Sequence, residues 1–109
     1  MAHTERPTLE RATTLLKSAE PLAAAAICGA ILAREPRNAI AAQLMGLALK
    51  DSGDWGEGER WLRFSIELEP NRGEFHANLG NLLRKQGKYA AAEAAYQRAV
   101  DLLPDHRPA

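Results

Sequence analysis

Three prolines set the frame of this chain. Pro36, Pro70 and Pro104 stand at a constant interval of 34 residues (70 − 36 and 104 − 70), and each closes a helix-like run ending Arg-Glu-Pro, Leu-Glu-Pro or Leu-Leu-Pro. The same interval carries Gly46 onto Gly80, Gly53 onto Gly87, Trp55 onto Tyr89, Leu49 onto Leu83, Ile66 onto Val100 and Leu68 onto Leu102. A fixed period of this kind marks a repeat architecture, in which a single unit cannot bury its apolar face alone and must stack on its neighbours. A chain of 109 residues has room for a few such units but not for a two-domain enzyme.

Each unit holds two helical patterns around a short break. In the third, Phe75, Leu79, Leu82 and Leu83 recur at helical spacing, Gln86-Gly87-Lys88 interrupts, and Ala92, Tyr96, Ala99, Val100 and Leu103 resume. The second unit repeats the plan with Met45 and Leu49, the break Ser52-Gly53-Asp54, then Trp55, Leu62 and Ile66. Asp54 with Glu57, and Asn71 with Glu74, read as capping boxes at helix starts, and Gly53 suits the left-handed end of the preceding helix. Gly46 and Gly80 in first helices, and Gly58 and Ala92 in second helices, fall where paired helices must approach closely. Gly56 and Gly58 each cost about 1 kcal/mol of helix propensity relative to alanine, so the second helix of the middle unit is expected to be the softest.

These residues resemble the tetratricopeptide repeat family. The third unit carries the resemblance best, with Asn78-Leu79-Gly80-Asn81, Lys85-Gln86-Gly87-Lys88-Tyr89, Ala92, Tyr96, Ala99-Val100 and Pro104 in register with the family pattern. The middle unit keeps Gly46, Gly53, Trp55 and Pro70 but has Gly58 and Ser65 where alanines are usual. The first is degenerate: Arg11 and Ala12 replace the Leu-Gly pair, Pro21 takes the aromatic position and Ile31 replaces a small residue, while Ala24, Cys28, Leu32 and Pro36 fit. Pro21 remains compatible with a helix as its first residue. The resemblance implies an all-α fold, a right-handed α-solenoid of three helix-turn-helix repeats with about six antiparallel helices. The units fall at 5–38, 39–72 and 73–106, forming one domain over 5–106.

What the resemblance implies for function is a protein-interaction module, an adaptor or scaffold that binds a peptide or protein in a concave groove and performs no catalysis. By position the groove is expected to be lined by Leu9, Thr13, Gln43, Leu47, Lys50, Ala77, Asn81 and Arg84. The carboxylate clamp that some members use on chaperone tails is not matched: Leu9, Thr13, Leu44, Ala77 and Asn81 stand at its positions in the three-repeat register. With no capping helix after Pro104, the last helix is expected to leave Tyr96, Val100 and Leu103 as an apolar strip that supports a homodimer. Two alternatives stay open. The chain is the N-terminal accessory region of a larger bacterial glycosyl-, sulfo- or methyltransferase, with the segment from Pro104 as a linker, or it is a self-oligomerisation module whose groove stays empty.

Composition narrows the partners. Fourteen Lys+Arg balance 14 Asp+Glu, so the basic excess that binds phosphates is missing and no nucleic-acid partner is expected. The longest uncharged stretch, Pro21 to Ala33, falls well short of the roughly 20 apolar residues that span a bilayer, so no membrane is expected either. The polar start and the single cysteine suit a cytoplasmic protein, and the preference for Ala and for Arg over Lys suits a bacterial one. No cofactor or metal is expected. Cys28, in Ala-Ile-Cys-Gly-Ala, reads as a core residue, and His3, His76 and His106 have no second ligand one turn away. Glu57/Glu59 and Glu67/Glu69, two apart on a helix, point in different directions and read as solvated surface. Asn78 and Asn81 are either ligand contacts or ordinary repeat residues, and Trp61 is either a packing residue or an exposed anchor.

Overall fold

A computed structural model describes residues 6–104, in which six helices account for the regular structure: α1 (Leu9–Lys17), α2 (Pro21–Arg34), α3 (Ala39–Asp51), α4 (Trp55–Leu68), α5 (Gly73–Lys85) and α6 (Tyr89–Asp101). They form three consecutive helical hairpins, α1–α2, α3–α4 and α5–α6, stacked in chain order into a body of 57 × 32 × 23 Å. The first helices are neighbours, α1 beside α3 and α3 beside α5, and each hairpin also meets the next through its second helix. Residue 5, the tail after Pro104, and His3 and His106 lie outside the described residues.

The hairpin turns are nearly superimposable in their bonding. Glu20 N donates to Leu15 O, Asp54 N to Leu49 O and Lys88 N to Leu83 O, each at 2.9 Å, closing the helix end with a six-residue ring. The residue before each donor takes the left-handed conformation: Gly53 at φ 98°, Gly87 at φ 80° and, in the first hairpin, Ala19 at φ 59°. Ala19 therefore bears a left-handed strain of roughly 1–2 kcal/mol that the two glycines avoid. The degenerate first unit keeps the turn geometry without the residue that favours it.

Helix starts follow the sequence in part. Thr8, Asn38 and Asp54 accept from the main-chain N–H three residues on, at 3.1, 2.9 and 3.3 Å. The Asp54 cap is thus made, although its own N–H goes to Leu49 O instead of completing a box with Glu57. The expected box at Asn71 and Glu74 is not formed. Helix α5 starts one residue later, after Arg72, whose side chain turns back to Glu69 and sits 5.5 Å above the Phe75 ring while Phe75 N donates to Arg72 O at 3.1 Å. Pro21 opens α2 at the position where its missing N–H costs nothing.

Glycine sets how closely the hairpin helices meet. A Cβ on Gly46 would fall 2.5 Å from Leu62 Cδ2 and 2.9 Å from Gly58 O, and one on Gly58 would fall 3.0 Å from Gly46 O and 3.1 Å from Lys50 N. In the third hairpin a Cβ on Gly80 would meet the Tyr96 ring at 2.8 Å. Gly56, by contrast, faces open space, so only Gly58 of that pair is needed for packing. Two apolar clusters result. Leu62, Leu79, Leu82, Leu83, Ala92 and Ala95 join the second and third hairpins, with Leu47, Ile66 and Tyr96 against them. Ile31, Leu32, Ala41 and Ala42 join the first and second, covered by Leu9, Ile27, Met45, Trp61 and Phe64. Cys28 is fully buried, and burial pushes its thiol up to about 11 against the smaller opposing effect of a backbone hydrogen bond, so it stays a neutral thiol at pH 7.

Candidate docking surface

The expected groove residues fall on α1, α3 and α5, the three adjoining first helices, but they are not equally available. Thr13 is half-buried and donates its hydroxyl to Leu9 O at 2.9 Å. Leu9 and Leu47 are half-buried members of the two apolar clusters. Lys50 is half-buried with Nζ 3.7 Å from Asp51, Ala77 is half-buried and Arg84 is exposed.

Gln43 is a correction. Only 4 % of it is exposed, and its amide is used inside the protein: Nε2 donates to Ser65 Oγ at 2.6 Å and Oε1 accepts from Asn78 Nδ2 at 2.7 Å. Ser65, itself fully buried, donates onward to Leu62 O at 2.7 Å. This chain of bonds runs from α4 through α3 to α5 and ties two hairpins together with its buried polar atoms satisfied. Asn78 therefore has a structural partner in Gln43 while staying half-buried on α5. Its sequence signal was the replacement of alanine-like positions by the pair Gln43 and Ser65, where the third unit has Ala77 and Ala99.

Tyr96 is a second correction. It does not join an exposed strip; its ring lies over Gly80 and its hydroxyl donates to Asn81 Oδ1 at 2.6 Å, because the missing side chain at Gly80 opens a slot for the ring. Asn81 thereby spends one acceptor on the hairpin interior while remaining half-buried on α5. Val100 and Leu103 are exposed, at 36 % and 54 %.

A feature that sequence reading missed lies between α4 and α6. Here a groove of about 480 Å³ has Ile66, Leu79 and Leu83 at its base, alanines 91, 94 and 95 along one wall, and Arg63, Glu67, His76 and Arg98 at its rim. His76 Nε2 is 2.8 Å from Pro70 O, a packing contact at the groove edge. Below the rim, the Glu59 carboxylate holds Arg63 Nε at 2.8 Å and Lys88 Nζ at 3.0 Å, linking α4 to the start of α6. Burial by itself raises the Glu59 pKa, but the hydrogen bonds and charges of Arg63 and Lys88 outweigh it and hold the carboxyl below its ordinary value. Because the folded value is depressed, this tie contributes fully above an unfolded pKa of about 4.3 and is lost as pH falls through the lower folded value. Among the described residues no group of three His, Cys, Asp or Glu side chains is placed to hold a metal ion.

Three stacked helical hairpins with closely paired helices and a repeated turn define an α-solenoid. The chain is a tetratricopeptide repeat protein: residues 73–106 match the tetratricopeptide repeat model, and the hairpins before them keep its period. It is 32% identical over 80 residues to a TPR repeat-containing protein of Pseudomonas aeruginosa, covering 72% of this chain and 14% of that protein. It is 36% identical over 45 residues to the human protein O-mannosyl-transferase TMTC1, covering 41% of this chain and 5% of the transferase. The chain thus spans only a small part of the length of these curated relatives. Among solved structures it superimposes on an O-GlcNAc transferase of Thermobaculum terrenum with TM-score 0.84 at 29% identity, over 95% of this chain and 21% of that one. MamA of Desulfovibrio magneticus shares the fold with TM-score 0.82 at 22% identity, over 91% of this chain and 56% of that one. No described helix is long and apolar enough to cross a membrane.

Proposed function

We propose that this chain is a non-catalytic docking module whose units 5–38, 39–72 and 73–106 act as one domain and hold a protein or peptide along α1, α3 and α5. The observation that carries this reading is the continuous array of first helices, which offers Thr13, Leu47, Lys50, Ala77, Asn81 and Arg84 at its surface after Gln43 is withdrawn into the core. Lys50 and Arg84 give this surface a cationic cast suited to an acidic segment of the partner. The double variant Asn81→Asp/Arg84→Glu tests it, since aspartate keeps an oxygen acceptor for the Tyr96 hydroxyl. In capture from bacterial extract, partners held by the unmodified chain should bind the variant about tenfold or more weakly, with helical content by circular dichroism unchanged. Equal capture by both would remove the assignment.

The likeness to two transferases supports a second setting for the same module, as the partner-positioning part of a larger enzyme, and the composition alone is what suggests a bacterial, cytoplasmic one. Self-association has one specific support, the exposed apolar side chains Val100 on α6 and Leu103 just after it. Sedimentation equilibrium should then show a dimer that Leu103→Glu converts to monomer. A monomer for both chains at high concentration excludes that mode.

A further inference from the structure

The groove between α4 and α6 has an internal counterpart whose contents are known. Moving five of the lining residues back by 34 positions places Leu32, Met45 and Leu49 for Ile66, Leu79 and Leu83, and places Trp61 and Phe64 for Ala95 and Arg98. Between the first and second hairpins those two aromatic rings pack on the cluster of Ile31, Leu32, Ala41 and Ala42, in mutual edge-to-face contact at 5.9 Å, and leave a smaller opening of about 330 Å³ lined by the rings with Glu57 and Arg60. Between the second and third hairpins the apolar base persists but the rings that would cover it are gone, and the open volume of about 480 Å³ stands in their place. The rim adds charge. Arg63 and Lys88 share the Glu59 carboxylate. On the two sides of the groove, by contrast, the Glu67 carboxylate of α4 and the Arg98 guanidinium of α6, which stands where Phe64 stands one unit earlier, have no hydrogen-bond or ion-pair partner among the described residues, so an acidic group is accommodated on the α6 side only.

We propose that this groove is a second docking site, on the side of the second helices, which takes an aromatic side chain of a partner protein carried on an acidic segment. The aromatic ring would lie over Ile66, Leu79 and Leu83, as Trp61 lies over the first cluster, and a flanking carboxylate would pair with Arg98. Such an arrangement, an apolar anchor in a pocket with a charged rim, is the common anatomy of an energetic centre in a protein interface. The site shares no residue with the docking surface on α1, α3 and α5 and stands or falls separately from it.

The probe is the peptide acetyl-Asp-Asp-Trp-Asp-Asp-amide, titrated into the whole chain and followed by amide and methyl NMR shifts. The expected result is saturable shifts centred on Ile66, Leu79, Leu83 and Ala95, absent when the peptide's tryptophan is replaced by alanine. Ala95→Trp, which supplies the chain's own ring as Trp61 does one unit earlier, should weaken binding about tenfold or more. Arg98→Glu, a surface change that does not touch the core, should weaken the acidic peptide about fivefold and favour acetyl-Lys-Lys-Trp-Lys-Lys-amide instead. Shifts centred on Asn81 and Arg84, no shift at millimolar peptide, or an unchanged affinity in Arg98→Glu would each overturn the proposal. If Ala95→Trp fails to fold, the Arg98→Glu comparison decides alone.

Discussion

Leu62→Ala should lower the unfolding free energy by about 3–5 kcal/mol, the upper part of the range for a leucine removed from a core that cannot collapse around the gap. Leu62 is fully buried, and it works at a junction. Its isobutyl group meets Gly46 of α3 inside its own hairpin, and the same side chain belongs to the cluster with Leu79, Leu82 and Leu83 of α5 and Ala92 and Ala95 of α6. Neighbouring helices are held apart by their own contacts and cannot close on the vacated volume from both sides. Because stability in a stacked array is a sum of unit and interface contributions, the loss should fall on both the middle hairpin and its junction with the last. Urea unfolding followed by circular dichroism measures the total, and hydrogen exchange shows where it falls. The amides of α5 and α6 should lose protection along with those of α4. A change below 1 kcal/mol, or a loss confined to α4, would contradict the junction role.

Much of this fold was legible because a 34-residue period repeats geometry as well as letters. The turn glycines, the close approaches at Gly46, Gly58 and Gly80, and the Asp54 cap could be read from one unit onto the next. What escaped was set by partners distant in sequence. Gln43 sits at a position that faces the groove in the repeat pattern, yet Ser65 leaves room beside it and Asn78 supplies the second bond, so the side chain turns inward. Tyr96 was expected on the outer strip because its turn of helix is apolar, whereas the slot over Gly80 and the Asn81 acceptor draw it into the hairpin. Asn71 lost its capping role because Arg72 prefers Glu69 and the Phe75 ring, placing the helix start one residue later. The α4–α6 groove was the least legible feature, since it consists of side chains that are missing relative to the preceding unit. Only the packing of Trp61 and Phe64 reveals what its alanines leave uncovered.

Gly46→Ala should cost about 2 kcal/mol net: overpacking of roughly 3 kcal/mol, less about 1 kcal/mol regained in helix propensity. The three hairpins show why glycine stands there. The residue one unit earlier is Ala12 and the residue one unit later is Gly80, while the positions opposite hold Cys28, Leu62 and Tyr96. Where the opposing side chain is small the chain carries alanine, both residues fully buried in the first hairpin; where it is leucine or tyrosine it carries glycine. The new methyl group at position 46 would meet two obstacles of different kind. Leu62 Cδ2 and Cγ, at 2.5 and 2.7 Å, belong to a side chain that can be shortened, while Gly58 O, at 2.9 Å, is backbone and must move with its helix. Combining Gly46→Ala with Leu62→Ala should therefore recover part of the loss, with a coupling energy of about 1 kcal/mol between the two sites. The remainder reports the backbone approach of α3 to α4 and should persist in the double variant. Strict additivity in urea unfolding would mean that the Leu62 side chain already yields to the methyl group without cost, and that glycine is required at this crossing by the Gly58 carbonyl alone.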